Sequence, residues 1–353
     1  MRVGNWRSGS ALLTAALVMA CSGTPSPPPG GTGAGGGEGL GGAGGAGGEG
    51  AAACEMWAPR LVEPEVLIGP EGLRDRLVAL IDGATESVEL MMYQLDCAPC
   101  VDALIAAASR GVAVRVLLDG AQGVNAGAKA ALGAAGVPTR DAPTELSHDH
   151  AKVLLVDHDE VVVMSANMNS YSFASERNYG VVDRDGQDVA QLLALFERDW
   201  AGEGAIDTSC TRLILSPLNA RQRLLQLLGS ATQTLDLAVM YVSDPEILNA
   251  LEVVAGRGVQ VRVLLAMPEW IDSNAATAAT LAAAGIEVRY LYTHELHAKL
   301  IVADGVAFVG SENLSSTSLD ENREVGLLVT EPTPRAAIQA QLAADWAAGV
   351  AAP

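Results

Sequence analysis

The chain has 353 residues, with 22 Lys and Arg against 42 Asp and Glu and a formal net charge of −20. That balance argues against a broad electrostatic grip on nucleic acid, where phosphate neutralisation by Lys and Arg supplies most of the affinity, and against wide adsorption on anionic lipid. The length leaves room for one large or two ordinary domains.

Arg2 and Arg7 precede the apolar run Ala11–Ala20, which is too short to span a bilayer, so residues 1–20 are expected to act as a secretory signal. Val18-Met19-Ala20-Cys21 resembles a lipobox, with Cys21 as the lipidated residue. Within residues 21–54 the Gly/Pro/Ser-rich tract has almost nothing large to bury and reads as a flexible tether. The expectation is an exported, membrane-anchored lipoprotein, periplasmic or at the outer membrane or cell surface. Cys54, Cys97, Cys100 and Cys210 remain, an even number that allows three disulfide pairings. Cys97–Cys100 with Cys54–Cys210 is the preferred set. A redox role for Cys97-Ala-Pro-Cys100 is the alternative, but no thioredoxin-like context surrounds it.

From residue 66 onward the chain contains itself twice, over 66–204 and 211–350. An apolar-rich strand at 87–95 has its counterpart at 234–242. Helical stretches follow at 99–110 and 245–257, each opening near a Pro and running into Gly111 or Gly258. The strands Val112–Leu118 and Val259–Leu265 then match almost letter for letter. Small-residue helices ending at Gly136 and Gly285 lead to 137–140 and 286–291, and Asp199-Trp200 and Asp345-Trp346 close the copies. Strands alternating with helices predict an α/β fold. Each of two similar halves should be a mixed, largely parallel sheet flanked by helices, with a pseudo-two-fold axis and one shared site.

The five histidines fall close to equivalent places: His148, His150 and His158, then His294 and His297. The first copy reads His150-Ala-Lys152 with Asp157, then Ser165-Ala-Asn167; the second reads His297-Ala-Lys299 with Asp304, then Gly310-Ser311-Glu312-Asn313. A His and a Lys two apart on a strand share one face.

In these residues the chain resembles the phospholipase D superfamily, whose signature is His-x-Lys-x4-Asp followed by Gly-Ser-x-Asn. The resemblance covers about residues 68–348. It implies a phosphodiesterase that needs no metal or cofactor and acts through a phosphohistidine. By the family pattern His150 is the nucleophile and His297 the acid and base, and the near symmetry of the site allows the exchange. Lys152 and Lys299, with Asn167 and Asn313, would hold the phosphate oxygens, with Ser165 and Ser311 as supporting hydrogen-bonders. Glu324 would orient a histidine. Asp157 and Asp304 read as structural, holding the strand-end turn. The first half departs from the pattern at Asn178, where the second has Glu324, and at Met164, which replaces Gly310 and is expected to narrow the first-half pocket or alter its turn.

The implied substrate is a phospholipid, hydrolysed or transferred to an alcohol. A metal-independent nuclease and an inactive phosphate-binding member are the alternatives. Metal binding by His148 and His150 lacks further ligands, and His158 reads as a solvated loop residue. Tyr93 and Tyr241 read as strand core, while Tyr171 and Phe173 either line the entrance or pack under helices. One chain supplies both motifs, so a monomer suffices for a complete site.

Overall fold

The computed structural model describes residues 57–202 and 204–353, which belong to one compact unit. The signal segment, Cys21, Cys54 and the Gly-rich tract lie outside the described residues. Among the described residues no helix is long and apolar enough to cross a membrane.

The first half contains strands β1 (Glu65–Gly69), β2 (Ser87–Met92), β3 (Ala113–Leu118), β4 (Thr139–Asp141), β5 (Lys152–Val156), β6 (Glu160–Met164) and β7 (Glu176–Asp183). Between them lie helices α1 (Leu73–Gly83), α2 (Ala98–Ser109), α3 (Ala126–Ala134) and α4 (Ser172–Ser175), and α5 (Gly186–Ala201) follows. The second half repeats this plan with β8 (Leu213–Ser216), β9 (Thr234–Val239), β10 (Gln260–Ala266), β11 (Glu287–Leu291), β12 (Glu295–Leu296), β13 (Lys299–Ala303), β14 (Val306–Gly310), β15 (Glu324–Val329) and β16 (Val350–Ala351). Its helices are α6 (Ala220–Ser230), α7 (Pro245–Gly256), α8 (Asn274–Ala283), α9 (Ser316–Asp320) and α10 (Pro332–Ala348).

The sheets run β1-β7-β6-β5-β2-β3-β4 and β8-β15-β14-β13-β9-β10-β11-β16, the same order over equivalent strands. Parallel pairing within each is confined to β2-β3-β4 and β9-β10-β11. Apart from the two-residue β12, which joins β7 in parallel, the remainder is antiparallel, which corrects the expectation of largely parallel sheets. The reason lies in the connections: only a few residues join β5 to β6 and β13 to β14, enough for a hairpin and too few for a crossover.

Three apolar layers hold the halves. Leu77, Leu90 and Leu104 belong to the core between the first sheet and its outer helices, and Leu224, Ile247 and Phe308 to the matching core of the second. Between the sheets, Val153, Val163 and Val181 meet Leu300, Val309 and Val325, with Phe196 of α5 and Ile338 of α10 closing the sides. β6 touches β15 as β14 touches β7, and β5 touches β15 as β13 touches β7, the reciprocity of a pseudo-two-fold axis passing between β6 and β14.

Helix starts follow local chemistry. Asp244 caps α7 by accepting from the Glu246 and Ile247 amides. At the corresponding place on α2 the cap is Cys97, bonded to Cys100, and both sulfurs are buried in the outer core. Burial makes this disulfide a structural staple at a helix start. Cys210 is also disulfide-bonded; the expected pairing with Cys54 lies outside the described residues.

Asp157 and Asp304 sit in the left-handed region at φ 54° and 45°. Asp157 accepts from the amides of Thr85, Glu86 and Ser87, and Asp304 from those of Thr232, Gln233 and Thr234. Each ties its hairpin turn to the start of the neighbouring β2 or β9, at the end of the sheet away from His150 and His297. These bonds hold Asp304 down at about 2 against the opposing effect of burial.

Two of the buried ion pairs that cross between the halves occupy equivalent places in the two copies. Arg323, just before β15, donates from Nε and Nη2 to Asp199 of α5 at 2.6 and 2.9 Å. Arg177 Nε stands 3.1 Å from Asp345 Oδ2 of α10, which also accepts the Tyr179 hydroxyl at 3.0 Å. An Asp199→Ala variant would leave the Arg323 guanidinium buried without its carboxylate. It is expected to lose about 3–5 kcal/mol of stability, read from urea unfolding. Pairing it with Arg323→Met should restore much of the loss.

Candidate active site

β5 begins at Lys152 and β13 at Lys299, so each His-x-Lys segment enters its sheet at the edge of the inter-sheet core. The residues before each strand are held by the opposite half. The His150 amide donates to the Arg323 carbonyl at 2.9 Å, and the His297 amide to the Arg177 carbonyl at 3.1 Å. β12 pairs in parallel with the first residues of β7, and Asp149 forms the matching bridge to Arg323. Each histidine is therefore placed by the strand that carries the other half's polar cluster.

The side chains repeat this exchange. His150 Nδ1 meets Glu324 Oε2 at 2.8 Å, and Glu324 also accepts from the hydroxyls of Ser311 and Ser318 at 2.7 and 2.6 Å. His297 Nδ1 meets Asn178 Oδ1 at 3.0 Å, and that oxygen accepts from Ser165 at 2.8 Å. Glu176 stands behind, 3.5 Å from His297 Nδ1, and accepts from Asn178 Nδ2 at 3.2 Å. Asn322 Nδ2 likewise donates to Glu324, at 3.1 Å. The two halves thus hold the same Glu–Asn pair with its members exchanged along the strand: Glu176 and Asn178 in one, Asn322 and Glu324 in the other. One imidazole faces a carboxylate and the other an amide.

An Nδ1–H donated to either oxygen leaves Nε2 free to face a reacting atom. Both histidines are buried, and each lysine ammonium donates to the carbonyl of its own histidine. Burial lowers His150 to about 4, with the lysines acting in the same direction and Glu324 against them. His297 is held well below the usual value, first by burial and then by Lys299, Lys152 and His150. Burial brings Lys152 down to about 8, and burial together with Lys152 brings Lys299 to about 7. Burial alone would raise Glu324, yet His150 and Lys152 keep it below the carboxylate range. These mutual effects show the two histidines, two lysines and Glu324 sharing one electrostatic environment.

Asn167 and Asn313 follow on the loops after β6 and β14, and the Oδ1 of each is buried without a hydrogen-bond partner. Their backbones are fixed by bridges from Met168 to Leu95 and from Leu314 to Val242.

Met164 lies away from the pocket, correcting the expectation that it narrows it. Alternation along β6 turns Ser165 towards the site and Met164 into the outer core with Ala166 and Met168. In the second half the bulk is exchanged. Glu312 stands where Ala166 does, and a Cβ on Gly310 would collide with its carboxylate and lie 2.6 Å from Gly326 Cα. Glu312 is wholly buried, both oxygens lack a partner, and burial pushes its pKa well up.

Tyr93 packs edge-on against His150, centroids 4.6 Å apart, with Lys152 Nζ 5.1 Å from its ring centre. His148 lies beyond it, 3.2 Å from Asp119 Oδ2. Met240 occupies the place of Tyr93 in the second half, where Trp270 stands 6.4 Å from His297. His294 reaches the half-exposed rim beside Glu71 and Arg177, and His158 Nε2 lies 3.2 Å from Glu89 Oε1. Among the described residues no cluster of His, Cys, Asp and Glu is arranged to hold a metal ion. Sequence reasoning did not single out Trp270, Arg177 or Arg323. The exchanged order Glu-Arg-Asn against Asn-Arg-Glu was the visible signal for the last two.

Residues 77–200 and 224–346 each match the family described as cardiolipin synthase, PLD-like domain. The chain belongs to the phospholipase D superfamily. Human mitochondrial cardiolipin hydrolase is 34% identical over 117 residues, which is 32% of this chain and 45% of that protein. The mouse enzyme of the same name is 33% identical over 115 residues, 31% of this chain and 50% of that one. The match thus spans about half the length of these curated relatives. Among solved structures, phosphatidylserine synthase from Haemophilus influenzae superposes with a TM-score of 0.65 at 12% identity, covering 82% of this chain and 87% of that one. Polyphosphate kinase from Porphyromonas gingivalis gives 0.64 at 16% identity, over 79% and 46%. At these identities the likeness is one of fold.

A lysine whose pKa is lowered to about 7 or 8 loses its charge as the pH rises through that range. Anion binding at the site should weaken accordingly. Sulfate keeps a fixed charge and is expected to raise the unfolding temperature at pH 6 by more than at pH 9, with Lys299→Met reducing the difference to the part that Lys152 supplies. Lys299's own contribution has the opposite sign. Its folded pKa lies below the unfolded one, so the stability it contributes rises with pH between about 7 and 10.5. The measurement is therefore the increment with and without sulfate at each pH.

Proposed function

We propose that this protein is a phospholipase D-type phosphodiesterase that cleaves phospholipids through a covalent phosphohistidine, with His150 as nucleophile and His297 as acid and base. The supporting observation is the unequal pair of Nδ1 partners, Glu324 for His150 and Asn178 for His297. Attack by Nε2 on phosphorus leaves the imidazole of His150 positively charged, and the adjacent carboxylate of Glu324 stabilises that charge. An imidazolium backed by a neutral amide is the stronger acid, which suits proton delivery from His297.

In the first step the His150 Nε2–phosphorus bond forms and the bond from phosphorus to the leaving oxygen breaks. The Nε2 proton of His297 passes to that oxygen. In the second, water or an alcohol gives its proton to His297 and its oxygen to phosphorus, and His150 is released. Lys152 and Lys299 neutralise the non-bridging oxygens, with the Asn167 and Asn313 amides as further donors. The substrate anion offsets the two lysines and so raises both imidazole pKa values on binding. Ser165 and Ser311 hold the groups that hold the histidines.

His150→Ala is expected to reduce turnover of bis(p-nitrophenyl) phosphate by at least about 10²–10⁴-fold. EDTA should leave the wild-type rate unchanged. His297→Asn should accumulate an acid-labile phosphoryl group on His150, detected by mass spectrometry of rapidly quenched protein. An adduct on His297 in the converse variant, with none on His150, reverses the two roles. Plasmid DNA cleaved in preference to every phospholipid tested would replace the lipid reading with the nuclease one. The same proposal has the protein exported and anchored through Cys21, so Cys21→Ala should move it from the membrane to the soluble fraction.

A further inference from the structure

Asp149 sits between the two backbone bonds that hold the first-half motif to the opposite strand. The Arg323 amide donates to the His148 carbonyl at 2.8 Å, and the His150 amide to the Arg323 carbonyl at 2.9 Å. Asp149 and Arg323 are the bridged pair, and bridged residues turn their side chains to the same face. The carboxyl of Asp149 therefore lies on the side of the Arg323 guanidinium. Each nitrogen of that guanidinium bonds elsewhere: Nε and Nη2 to Asp199, and Nη1 to the Ser216 carbonyl at 2.7 Å. Asp149 is 2% exposed, its Oδ1 accepts from the Ala151 amide at 3.4 Å, and its Oδ2 is buried without a hydrogen-bond partner.

The charged and titratable groups around this carboxyl are Asp199 of α5, Arg323, Lys152 of β5, and Asp119 with its partner His148. Asp119 accepts the Asp149 amide at 2.9 Å, and the Lys152 ammonium donates to the His150 carbonyl. In the second half Leu296 holds the equivalent place, bridged to Arg177, whose buried carboxylate is Asp345. The first half thus sets two buried carboxyl groups beside one guanidinium. If both were ionised, one anion would stand uncompensated in the core, so the carboxyl with the poorer partners is more stable with its proton. Burial, reinforced by Asp199, raises Asp149 from 3.8 to about 8.

We propose that Asp149 positions His150 only as the neutral acid, and that loss of its proton to solvent releases the first-half histidine from the opposite strand. This rests on the phosphodiesterase reading only in taking His150 as a reacting group. An ionised Asp149 gains by reaching water, and residues 148–150 must lift away from Arg323 to let it. The two backbone bonds on either side of Asp149 break in that movement, and His150 leaves Glu324. Leu296 has no proton to lose, so His297 keeps its hold.

The hold on His150 is read from the low-field proton NMR resonance of its Nδ1–H, assigned by its absence from His150→Gln. The wild type is expected to show it at pH 6 and lose it by pH 9, while Asp149→Asn shows it at both. Against bis(p-nitrophenyl) phosphate, kcat/KM of Asp149→Asn relative to wild type should rise about tenfold between pH 6 and pH 9; charge loss on the lysines affects both proteins. The proton itself is read from urea unfolding. The unfolded chain loses it near 3.8 and the folded one near 8, so its contribution to stability is complete below the first value and gone above the second. The folding constant of wild type relative to Asp149→Asn should therefore fall about tenfold per pH unit between about 5 and 7. Asp149→Leu, which copies Leu296, takes the place of the Asn variant if that one folds poorly. A folding ratio that stays flat over this range means that Asp149 is ionised throughout, and overturns the inference. So does a wild-type resonance that persists at pH 9, one that the variants lose in parallel with it, or a kcat/KM ratio that does not change with pH. Absence of turnover in every protein removes the phosphodiesterase reading, while the resonance and the folding ratio still decide the role of Asp149.

Discussion

Each half of the candidate site is assembled by the other. The carbonyls of Arg323 and Arg177 accept from the amides of His150 and His297, and the side chains one residue later, Glu324 and Asn178, take hold of the imidazoles. Backbone and side chain thus place a histidine together, from a strand of the opposite sheet. The guanidinium groups of the same arginines are in turn tied to Asp199 and Asp345 on the helices that close each copy. Shifting one sheet against the other would break the backbone bonds, the ion pairs and the Nδ1 contacts together. That coupling explains how apolar packing between β5-β6-β7 and β13-β14-β15 is converted into registry at the reacting centre.

The symmetry of the fold is not symmetry of the chemistry. Exchanging Glu and Asn about an arginine gives one imidazole a charged partner and the other a neutral one, while each Glu–Asn hydrogen bond survives. The exchange of Met164 and Ala166 for Gly310 and Glu312 keeps the outer packing filled and leaves the surface towards the substrate alike in both halves. Duplication supplies two equivalent positions, and small compensated substitutions then give them different surroundings. Two lysines held close in a buried site carry lowered pKa values, so the floor is poised to gain from an arriving anion.

Much of the fold was legible because its signals are local. Val112–Leu118 and Val259–Leu265 repeat nearly letter for letter, and Gly111 and Gly258 end the preceding helices at φ 96° and 86°, where a side chain would be strained. The strands end at Met92 and Val239 rather than at 95 and 242, because the apolar residues continue into the loops that pair with Met168 and Leu314. The sheets hold less parallel pairing than the alternation of strands and helices suggests, because that alternation does not reveal that β5 and β6 form a hairpin. Met164 faces the outer core because its neighbour Ser165 belongs to the site and successive strand residues face opposite ways.

By itself the sequence determined the duplication, the α/β class and which residues make up the candidate site, since these depend on residue type and spacing along one strand. The tertiary structure alone decided which partner each histidine meets. His150 and Glu324 are 174 residues apart, and His297 and Asn178 are 119 apart. No local pattern encodes contacts made by two sheets closing on each other. The same holds for the position of Trp270 beside His297, which is set by packing against the core between the sheets.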